Sequence, residues 1–376
     1  MNKLGFLVVF IFYAGINSYL FMRMWQALPD SGVLQVVFSI VFIISSLSFP
    51  VAMIFGNRIP PGLSAVTENI GAYWIIGLFY FVVAALFADL IRIADHFFHF
   101  FPPALSAHIL TVKFIYLLSV VGLFGLFSVI GYFRFSHPSV RQFTLEIPKG
   151  DMLVGNLNLA VASDVHLGNV IRKGRLKKYV ALLNRQDADV ILFAGDLVDH
   201  SMRPVEVQKM DEELRTLKAR YGVYAVFGNH EYYGNVARAI DFYARSGIIL
   251  LRDTAVTVDN RFVLIGRDDI SRRHRKPLQE ILTGIDRNLP LILLDHHPFR
   301  LDDAQNNDID LQISGHTHDG QFFPLNYLVR KMFPLGYGYK KEGNTHYYVS
   351  SGLGLWAAPI RIGTRSEIVL ITIQSK

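Results

Sequence analysis

The chain of 376 residues contains no cysteine. This absence excludes a disulfide framework, a thiolate metal site and a thiol nucleophile. It leaves the compartment open, because proteins without disulfides occur on either side of a membrane. Charged residues are also sparse at 18%, and the sequence contains no internal repeat or low-complexity tract.

Apolar residues are abundant instead, at 51% of the chain, and they are concentrated in the first third. Four segments there carry no charge: 4–22, 33–55, 71–88 and 114–133. A helix needs about 20 apolar residues to cross a bilayer, so we predict four membrane spans. The first segment lacks a small-residue cleavage site and is followed by three similar ones, which indicates a retained helix. Buried core helices are the competing interpretation.

The sequence therefore predicts a transmembrane region over residues 1–135, a linker over 136–155 and an α/β domain over 156–376. Four spans place the amino terminus and the α/β domain on the same face. The positive residues on that face are Lys3, Arg58, Arg134, Arg141 and Lys149, and those on the opposite face are Arg23, Arg92 and Lys113. This balance favours a cytoplasmic α/β domain. The formal charge of +6 suits an anionic membrane surface or a phosphate-bearing substrate.

From Asn156 onward, short apolar runs alternate with polar, helix-like stretches, a pattern typical of a layered α/β domain. The predicted strands are 157–163, 190–194, 223–227, 262–265, 291–294, 311–314, 346–350 and 368–373. The predicted helices are 172–184, 205–220 and 236–246.

Polar motifs follow five of these strands, where open α/β sheets place their ligands. They are Ser163-Asp164-Val165-His166, Gly195-Asp196-Leu197-Val198-Asp199, Gly228-Asn229-His230-Glu231, His296-His297-Pro298 and Gly315-His316-Thr317-His318. Each motif alone is compatible with a helix cap, a turn or an ordinary loop. Together they supply the mixed oxygen and nitrogen ligands that a divalent metal needs.

The candidate ligands are numerous enough for two metals that share a bridging carboxylate. They are Asp164, His166, Asp196, Asn229, His296, His316 and His318. Burying so many titratable groups without a partner would be costly. Paired ions in hydrolases lower the pKa of a water and clamp phosphoryl oxygens during in-line attack.

The order D-x-H, GDxxD, GNHE, H-x-P and GHTH resembles the calcineurin-like metallophosphoesterase superfamily. Asp268-Asp269, the run Gly315 to Gln321, the run Tyr348 to Gly354, and Arg361 near Glu367 resemble its YkuE-type branch, which includes transmembrane proteins. The resemblance covers the chain from about Asn156 onward. It implies an αββα sandwich and two divalent ions, with manganese, iron and zinc all compatible with the ligands.

The resemblance also implies a role for each motif residue. Asp164, His166, Asp196 and His318 would hold one metal, and Asp196, Asn229, His296 and His316 the other. His230 would act as the general acid, or would stabilise charge on the phosphoryl group, while a metal-activated hydroxide attacks phosphorus. Asp199 and Glu231 would orient ligands, although Asp199 is equally compatible with a helix cap.

Two of the motifs are not simple matches to the family pattern. Family spacing before the proline selects His296 as the ligand and leaves His297 as a rim or substrate contact. Branch members often carry Gly-Gly after GHTH, whereas this chain has Asp319-Gly320, so the loop there is expected to differ in shape. The histidines outside the motifs are expected at the surface or in packing positions: His200, His274 and His346.

Two basic runs flank the motifs. One is Arg172, Lys173, Arg175, Lys177 and Lys178, and the other is Arg267, Arg272, Arg273, Arg275 and Lys276. They are interpreted either as solvated surface or as a patch that attracts anionic head groups. Arg272 and Arg273 are candidate substrate contacts.

The sequence thus predicts a multi-pass protein of the bacterial inner membrane that hydrolyses a phosphate ester or pyrophosphate. A lipid-linked substrate is expected from the membrane region, either of the phospholipid type or of the UDP-diacylglucosamine type, the latter implied by the resemblance. The expected partners are the lipid bilayer and that substrate, with no specific nucleic acid. The alternative is a non-catalytic sensor or accessory module with a docking domain. The spans carry no paired internal charges, which disfavours transport.

Overall fold

The structure, a computed structural model, describes residues 3–56, 58–149 and 156–375. The chain separates into two compact units, Met1–Val129 and Ile130–Lys376. We refer to them as the helical unit and the α/β unit. The division falls within a long helix, near the predicted end of the transmembrane region at residue 135.

The helical unit is built from long apolar helices. The helices are α1 (Lys3–Trp25), α2 (Gly32–Phe55), α3 (Pro61–Phe98), α4 (Pro103–Ala107) and α5 (Ile109–Ser136), the last of which continues into the α/β unit. Pro61 begins α3, where a missing N–H costs no hydrogen bond.

Four of these helices are long and apolar enough to cross a membrane. Only 6% to 17% of their most apolar windows is buried inside the protein, and large side chains such as Phe12, Ile44 and Phe127 are exposed. In water such exposure would be unfavourable. The four long apolar helices are confirmed, and buried core helices were the wrong alternative.

The α/β unit contains two six-stranded sheets. Its strands are β1 (Ser139–Ile147), β2 (Leu157–Ala162), β3 (Val190–Ala194), β4 (Val223–Val226), β5 (Ile249–Leu250), β6 (Thr254–Val258), β7 (Phe262–Gly266), β8 (Leu291–Leu294), β9 (Leu311–Ser314), β10 (Gly338–Glu342), β11 (Thr345–Val349) and β12 (Glu367–Ser375). The sheet orders are β1-β12-β2-β3-β4-β5 and β10-β11-β9-β8-β7-β6. Strands β2 to β5 are parallel, as are β7, β8, β9 and β11.

Helices cover the outer faces of both sheets. On the first sheet they are α6 (Lys173–Asn184), α7 (Met202–Val207), α8 (Met210–Leu214) and α10 (Val236–Arg245), and on the second α11 (Leu278–Ile281) and α12 (Leu301–Gln305). Helix α9 (Asn229–Tyr233) carries the GNHE motif, and α13 (Leu325–Met332) contacts the segment His318–Gly320. Side chains alternate along the strands, so Leu192 packs between the sheets while Ile191 and Phe193 pack against helices. The second sheet behaves alike, with Ile292 inward and Leu293 outward. This layering confirms the predicted αββα sandwich.

The structure differs from the sequence prediction in the segment between the two regions. Residues 136–155 were predicted as a linker, but β1 occupies 139–147 and pairs in parallel with β12. Leu145 and Ile147 on β1 are buried between the sheets, which explains why this segment is ordered. Residues 150–155 of the predicted linker lie outside the described residues.

A second difference concerns the helix predicted over 205–220. Two short helices, α7 and α8, replace it, and Lys209 between them has a φ of +49°. A left-handed residue interrupts the regular helical hydrogen-bond pattern. The prediction of one continuous helix was therefore wrong.

Candidate metal centre

The polar motifs converge at the ends of strands from both sheets. Asp164 and His166 follow β2, Asp196 follows β3, and His316 and His318 follow β9. All five have a φ between +50° and +71°. Residues other than glycine rarely adopt this left-handed backbone conformation, and such strained residues are concentrated at functional sites. The tight turns aim these side chains toward one another across the sheet edge.

Two motif glycines are needed for this convergence. A Cβ at Gly195 would lie 2.3 Å from Nδ1 of His296, and one at Gly228 would lie 2.1 Å from Oδ1 of Asp196. Both distances are shorter than any real contact with a Cβ. The GDxxD and GNHE motifs therefore begin with glycine because neighbouring site residues occupy the space.

One group of possible ligands consists of Asp164, His166 and His318. Nε2 of His166 lies 3.1 Å from Nε2 of His318, and Nε2 of His318 lies 3.4 Å from Oδ1 of Asp164. All three side chains are almost fully buried. The structure thus brings together three of the four residues predicted for the first metal.

Asp196 lies between this first group and a second set of candidate ligands that includes His296, His316 and Asn229. Its Oδ2 is 3.8 Å from Nε2 of His166 and 3.2 Å from Nε2 of His296. On the other side, Nδ1 of His316 lies 2.9 Å from Oδ1 of Asn229. The position of Asp196 suits the bridging role that the sequence predicted for it.

The residues fit a divalent metal in their donor chemistry and spacing. Ligand atoms bind such an ion at about 2.0–2.2 Å, so two ligands of one ion lie roughly 3 Å apart. Nε2 of His296, which faces Oδ2 of Asp196, is buried and has no hydrogen-bond partner among the described residues. Buried polar atoms normally have partners, so a metal ion is the natural occupant.

Electrostatics holds several of these groups in the form that binds metal, which is an ionised carboxylate or a neutral imidazole. Burial would raise the pKa of Asp196, but the charge of His296 outweighs it and holds that pKa well below its usual range. Burial lowers the pKa of His318 well below its usual value, and lowers that of His316 to about 2 with help from His296. Asp164 and His296 differ. Burial raises the pKa of Asp164. Burial would lower the pKa of His296, but the charges of Asp196 and Asp164 outweigh it and raise that pKa well above its usual value, so His296 has to lose a proton before it binds a metal.

His230 lies at the open side of the group. Its Nδ1 lies 2.8 Å from Oδ1 of Asp199, its backbone N–H donates to Asp196, and its side chain is 21% exposed. Burial would lower the pKa of His230, but the hydrogen bond to Asp199 and the charge of Asp196 outweigh it and raise that pKa. Asp199 is not the cap of α7, which follows Ser201.

Glu231 joins two of the motif loops. Its carboxylate accepts hydrogen bonds from the backbone N–H of Val198 at 2.9 Å and of Gly228 at 2.8 Å. Tyr243 donates a third at 3.0 Å. Burial, together with the charge of Asp196, raises the pKa of Glu231 to about 7. Glu231 thus fixes the loop that carries Asp196 against the loop that carries Asn229.

Comparison with known sequences agrees with this geometry. The family described as Calcineurin-like phosphoesterase matches residues 157–320. An uncharacterized metallophosphoesterase of Aquifex aeolicus is 32% identical over 247 residues, which cover 63% of this chain and 92% of that protein. The chain belongs to the calcineurin-like metallophosphoesterase family. The predicted resemblance is therefore confirmed.

Two further relatives extend the comparison. A Danio rerio protein named Transmembrane protein with metallophosphoesterase domain is 31% identical over 280 residues, which cover 70% of this chain but only 62% of that protein. The metallophosphoesterase YkuE of Bacillus subtilis is 27% identical over 257 residues, which cover 65% of this chain and 90% of YkuE. Both relatives are of the kinds that the sequence resembles.

In this metallophosphoesterase, the structure places His297 inside the site. The side chain is 6% exposed, and its Nδ1 lies 2.7 Å from Oδ2 of Asp269. Burial would raise the pKa of Asp269, but the contact with His297 outweighs it and lowers that pKa to about 2. The expected position of His297 at the rim was therefore wrong, because its contact with Asp269 holds it inside, beside His316. The alternative, that His297 contacts the substrate, stays a prediction.

The second basic run is largely neutralised by carboxylates. Arg252, Arg267, Arg272 and Arg275 pair with Asp253, Asp268, Asp295 and Asp303, and we call these eight residues the arginine cluster. Lys276 pairs with Glu280. Among the described residues, Arg273 is the member of the run that lacks an ion pair within 4.0 Å. This pairing leaves little of the run available to attract head groups.

The remaining predicted residues are placed as follows. In the first basic run, Lys173 pairs with Glu212, and Arg175 donates to the backbone carbonyl of Ser136. His200 and His274 are exposed, whereas His346 is buried and contacts the hydroxyl of Tyr339.

Two buried residues near the site were not assigned a role from the sequence. Arg361 is fully buried, and its guanidinium donates to the backbone carbonyls of Ser351 and Gly354 at 2.6 Å each. It also lies 3.4 Å from the carbonyl of His318. Asp319, the residue that departs from Gly-Gly, is bound by Arg330 through two hydrogen bonds of 2.9 and 3.0 Å. No local pattern in the sequence predicts the contact of Arg361 with the carbonyl of His318 or that of Asp319 with Arg330.

Proposed function

We propose that the chain is a membrane-anchored, metal-dependent phosphoesterase that hydrolyses a phosphate ester or pyrophosphate. The observation that supports this most directly is the position of Asp196 between His166 and His296, with His230 beside it. Two divalent ions, of manganese, iron or zinc, suit this donor set.

The two ions would be held by residues from five motifs. Asp164, His166, Asp196 and His318 would hold one, and Asp196, Asn229, His296 and His316 the other. Such ions, when bound, lower the pKa of a water molecule and stabilise negative charge on the phosphoryl oxygens. Glu231 keeps the two ligand-bearing loops in register through its bonds to Val198 and Gly228.

His230 is proposed to protonate the leaving-group oxygen. Asp199 accepts a hydrogen bond at Nδ1 of His230, which leaves Nε2 directed away from that carboxylate. An alkoxide leaves poorly without a proton, so a positioned imidazolium accelerates this step. Asp199 both orients the ring and favours its protonated form. In His230→Gln we expect kcat to fall about 100-fold with metal content unchanged.

The proposed substrate is lipid-linked, of the phospholipid or UDP-diacylglucosamine type. The support is the helical unit, whose four helices would hold the α/β unit beside a bilayer. The proposed location is the bacterial inner membrane with the α/β unit in the cytoplasm, on the balance of positive residues between the two faces.

The activity is tested by hydrolysis of a chromogenic phosphodiester by the detergent-purified full chain, with and without manganese. Asp196→Asn should lose the metal-dependent activity and part of its bound metal. Asp302→Asn, which changes an exposed carboxylate on α12, is the matched control and should behave as wild type. If the metal-loaded wild type has no activity, or Asp196→Asn retains it, the α/β unit is instead a docking module.

The substrate class is tested separately, with a panel of phospholipids, sugar-nucleotide lipids and water-soluble nucleotides. A lipid-linked substrate should be hydrolysed with a kcat/KM at least tenfold above that of its water-soluble head group. Equal values for the two would contradict lipid recognition while leaving the phosphoesterase activity intact.

A further inference from the structure

The helical unit contains a cavity between α1, α3 and α5, with a volume of about 310 Å³. This volume lies within the range of roughly 300–1,000 Å³ that is common for ligand pockets. Most of its lining is apolar, with Leu20, Phe81, Leu117 and Val120 among the contributors. The small side chains of α3, which include Ala85, leave the space that larger residues would fill.

One end of the cavity is strongly charged. Asp89 on α3 accepts a hydrogen bond of 2.7 Å from the hydroxyl of Tyr19, lies 2.8 Å from the guanidinium of Arg23, and pairs with Arg92. Lys113 on α5 also lines the cavity. Among the described residues, no carboxylate lies within 4.0 Å of the Lys113 ammonium.

The charges at this end do not balance. Arg23, Arg92 and Lys113 contribute three positive charges, and Asp89 contributes one negative charge, which leaves a net charge of +2 in the lining. Charged side chains in a membrane region are costly unless they are paired or reach the interface. Arg23 and Arg92 both pair with the carboxylate of Asp89. Its single negative charge can neutralise only one of the two guanidiniums.

The position of these cations corresponds to the head-group level of a bilayer. Arg23 lies near the end of α1 at Trp25, and Lys113 lies near the beginning of α5 at Ile109. Basic residues at helix ends reach the membrane interface, where anionic head groups are available. An anion bound here would face the net charge of +2 directly.

We propose that this cavity binds a single anionic phospholipid, with an acyl chain in the apolar part and the phosphate against Arg92 and Lys113. A small hydrophilic anion would satisfy the charged end but would leave the apolar lining without a partner. A neutral lipid would fill the apolar part but would leave the net charge unopposed. The proposal rests on the membrane placement of the helical unit and is independent of hydrolysis at the metal centre.

The proposal is tested by native mass spectrometry of the full chain, titrated with phosphatidylglycerol and with phosphatidylcholine of the same acyl chains. The wild type should retain one phosphatidylglycerol at least tenfold more tightly than phosphatidylcholine. The double variant Arg92→Gln, Lys113→Gln should lose this preference. Ala85→Phe, which fills the apolar part, should weaken the binding of both lipids.

Arg58→Gln is the matched control, because Arg58 is exposed and does not line the cavity. It removes one positive charge and should keep the lipid preference. Lys113→Gln alone breaks no ion pair among the described residues, so it should fold as the wild type does and should lose about half of the preference on a logarithmic scale.

Titrating Asp196→Asn in parallel separates this proposal from the proposed activity, since that variant should bind phosphatidylglycerol normally even if it hydrolyses nothing. Equal retention of the two lipids by the wild type would overturn the proposal, as would an unchanged preference in the double variant. Displacement of the lipid by millimolar inorganic phosphate would identify a free-anion site instead and would also overturn it.

Discussion

The metal centre and the arginine cluster are two regions of the α/β unit that both bury charged side chains, but they neutralise them differently. In the arginine cluster, the buried carboxylates of Asp268 and Asp295 each face two guanidiniums. In the metal centre, the carboxylate of Asp196 faces Nε2 of His296, which has no hydrogen-bond partner among the described residues. The charges of the arginine cluster are paired within the chain, whereas the donor set of the metal centre calls for a cation.

Residues of the arginine cluster directly precede residues of the metal centre in the sequence, so the cluster can hold the backbone of the metal centre in place. Asp295 directly precedes His296, and Asp268 directly precedes Asp269, the residue that contacts His297. The arginines therefore fix the backbone from which the site residues project. We expect changes in the metal centre to affect activity and metal binding, and changes in the arginine cluster to affect stability.

The largest expected effect is from Asp164→Asn. Removing a fully buried carboxylate from the group with His166 and His318 should lower metal-dependent hydrolysis more than about 100-fold, since the partners of metal ligands alone account for about 10–100-fold. Metal content by elemental analysis and the initial rate are the two measurements. Retained metal and rate in Asp164→Asn would remove this residue from the centre.

The next effect concerns Asp295→Asn in the arginine cluster. Breaking a buried pair costs about 3–5 kcal/mol, but Arg267 keeps Asp303, so we expect the free energy of unfolding to fall by about 2 kcal/mol. Denaturant titration measures it. Asp308→Asn, in the exposed pair with Arg287, is the control and should change stability by less than about 0.5 kcal/mol. Equal effects in the two variants would contradict the structural role.

A smaller effect is expected from Glu231→Gln. Glu231 contacts both ligand-bearing loops of the metal centre but is not itself a proposed metal ligand. The amide would present a donor to the N–H of either Val198 or Gly228. We expect metal affinity to fall about tenfold. A metal titration followed by activity measures it, and saturating metal should restore most of the rate. If saturating metal restores nothing, Glu231 has a role beyond loop positioning.

The smallest effect is expected at Arg273, the predicted substrate contact that remains without an ion pair among the described residues. Arg273→Gln should raise KM for an anionic lipid-linked substrate by about fivefold or less, with kcat unchanged. The difference should shrink at high salt, because exposed charges are screened. Arg272→Gln provides the contrast, since Arg272 binds Asp253 and Asp268 and should act on stability.

The convergence of the motif residues could be predicted from the sequence because each motif lies at the end of a strand with a simple apolar pattern. The predicted strands 190–194, 291–294 and 311–314 match β3, β8 and β9, and within each sheet the parallel neighbours end at the same edge. The four long apolar helices were likewise predictable from length and composition. The metal-ligand roles themselves stay predictions that the experiments above address.

The arginine cluster could not be predicted, because most of its ion pairs join residues that only the tertiary fold brings together. Arg252 and Asp268 are 16 residues apart, and Arg267 and Asp303 are 36 apart. In the sequence these arginines look like a basic surface patch. Strand β1 was missed for a related reason. Its sequence is mostly polar, and Leu145 and Ile147, which anchor it between the sheets, do not by themselves form a recognisable apolar run.

The pairing of β12 between β1 and β2 has a consequence for biosynthesis. Strand β12 spans Glu367–Ser375, so the first sheet stays divided until the ribosome has synthesised the chain through that strand. At about 5–20 residues per second, roughly 10 to 50 seconds separate the emergence of β1 from that of β12. During this interval the four apolar helices are already available for membrane insertion, while the edges of β1 and β2 remain open to chaperones.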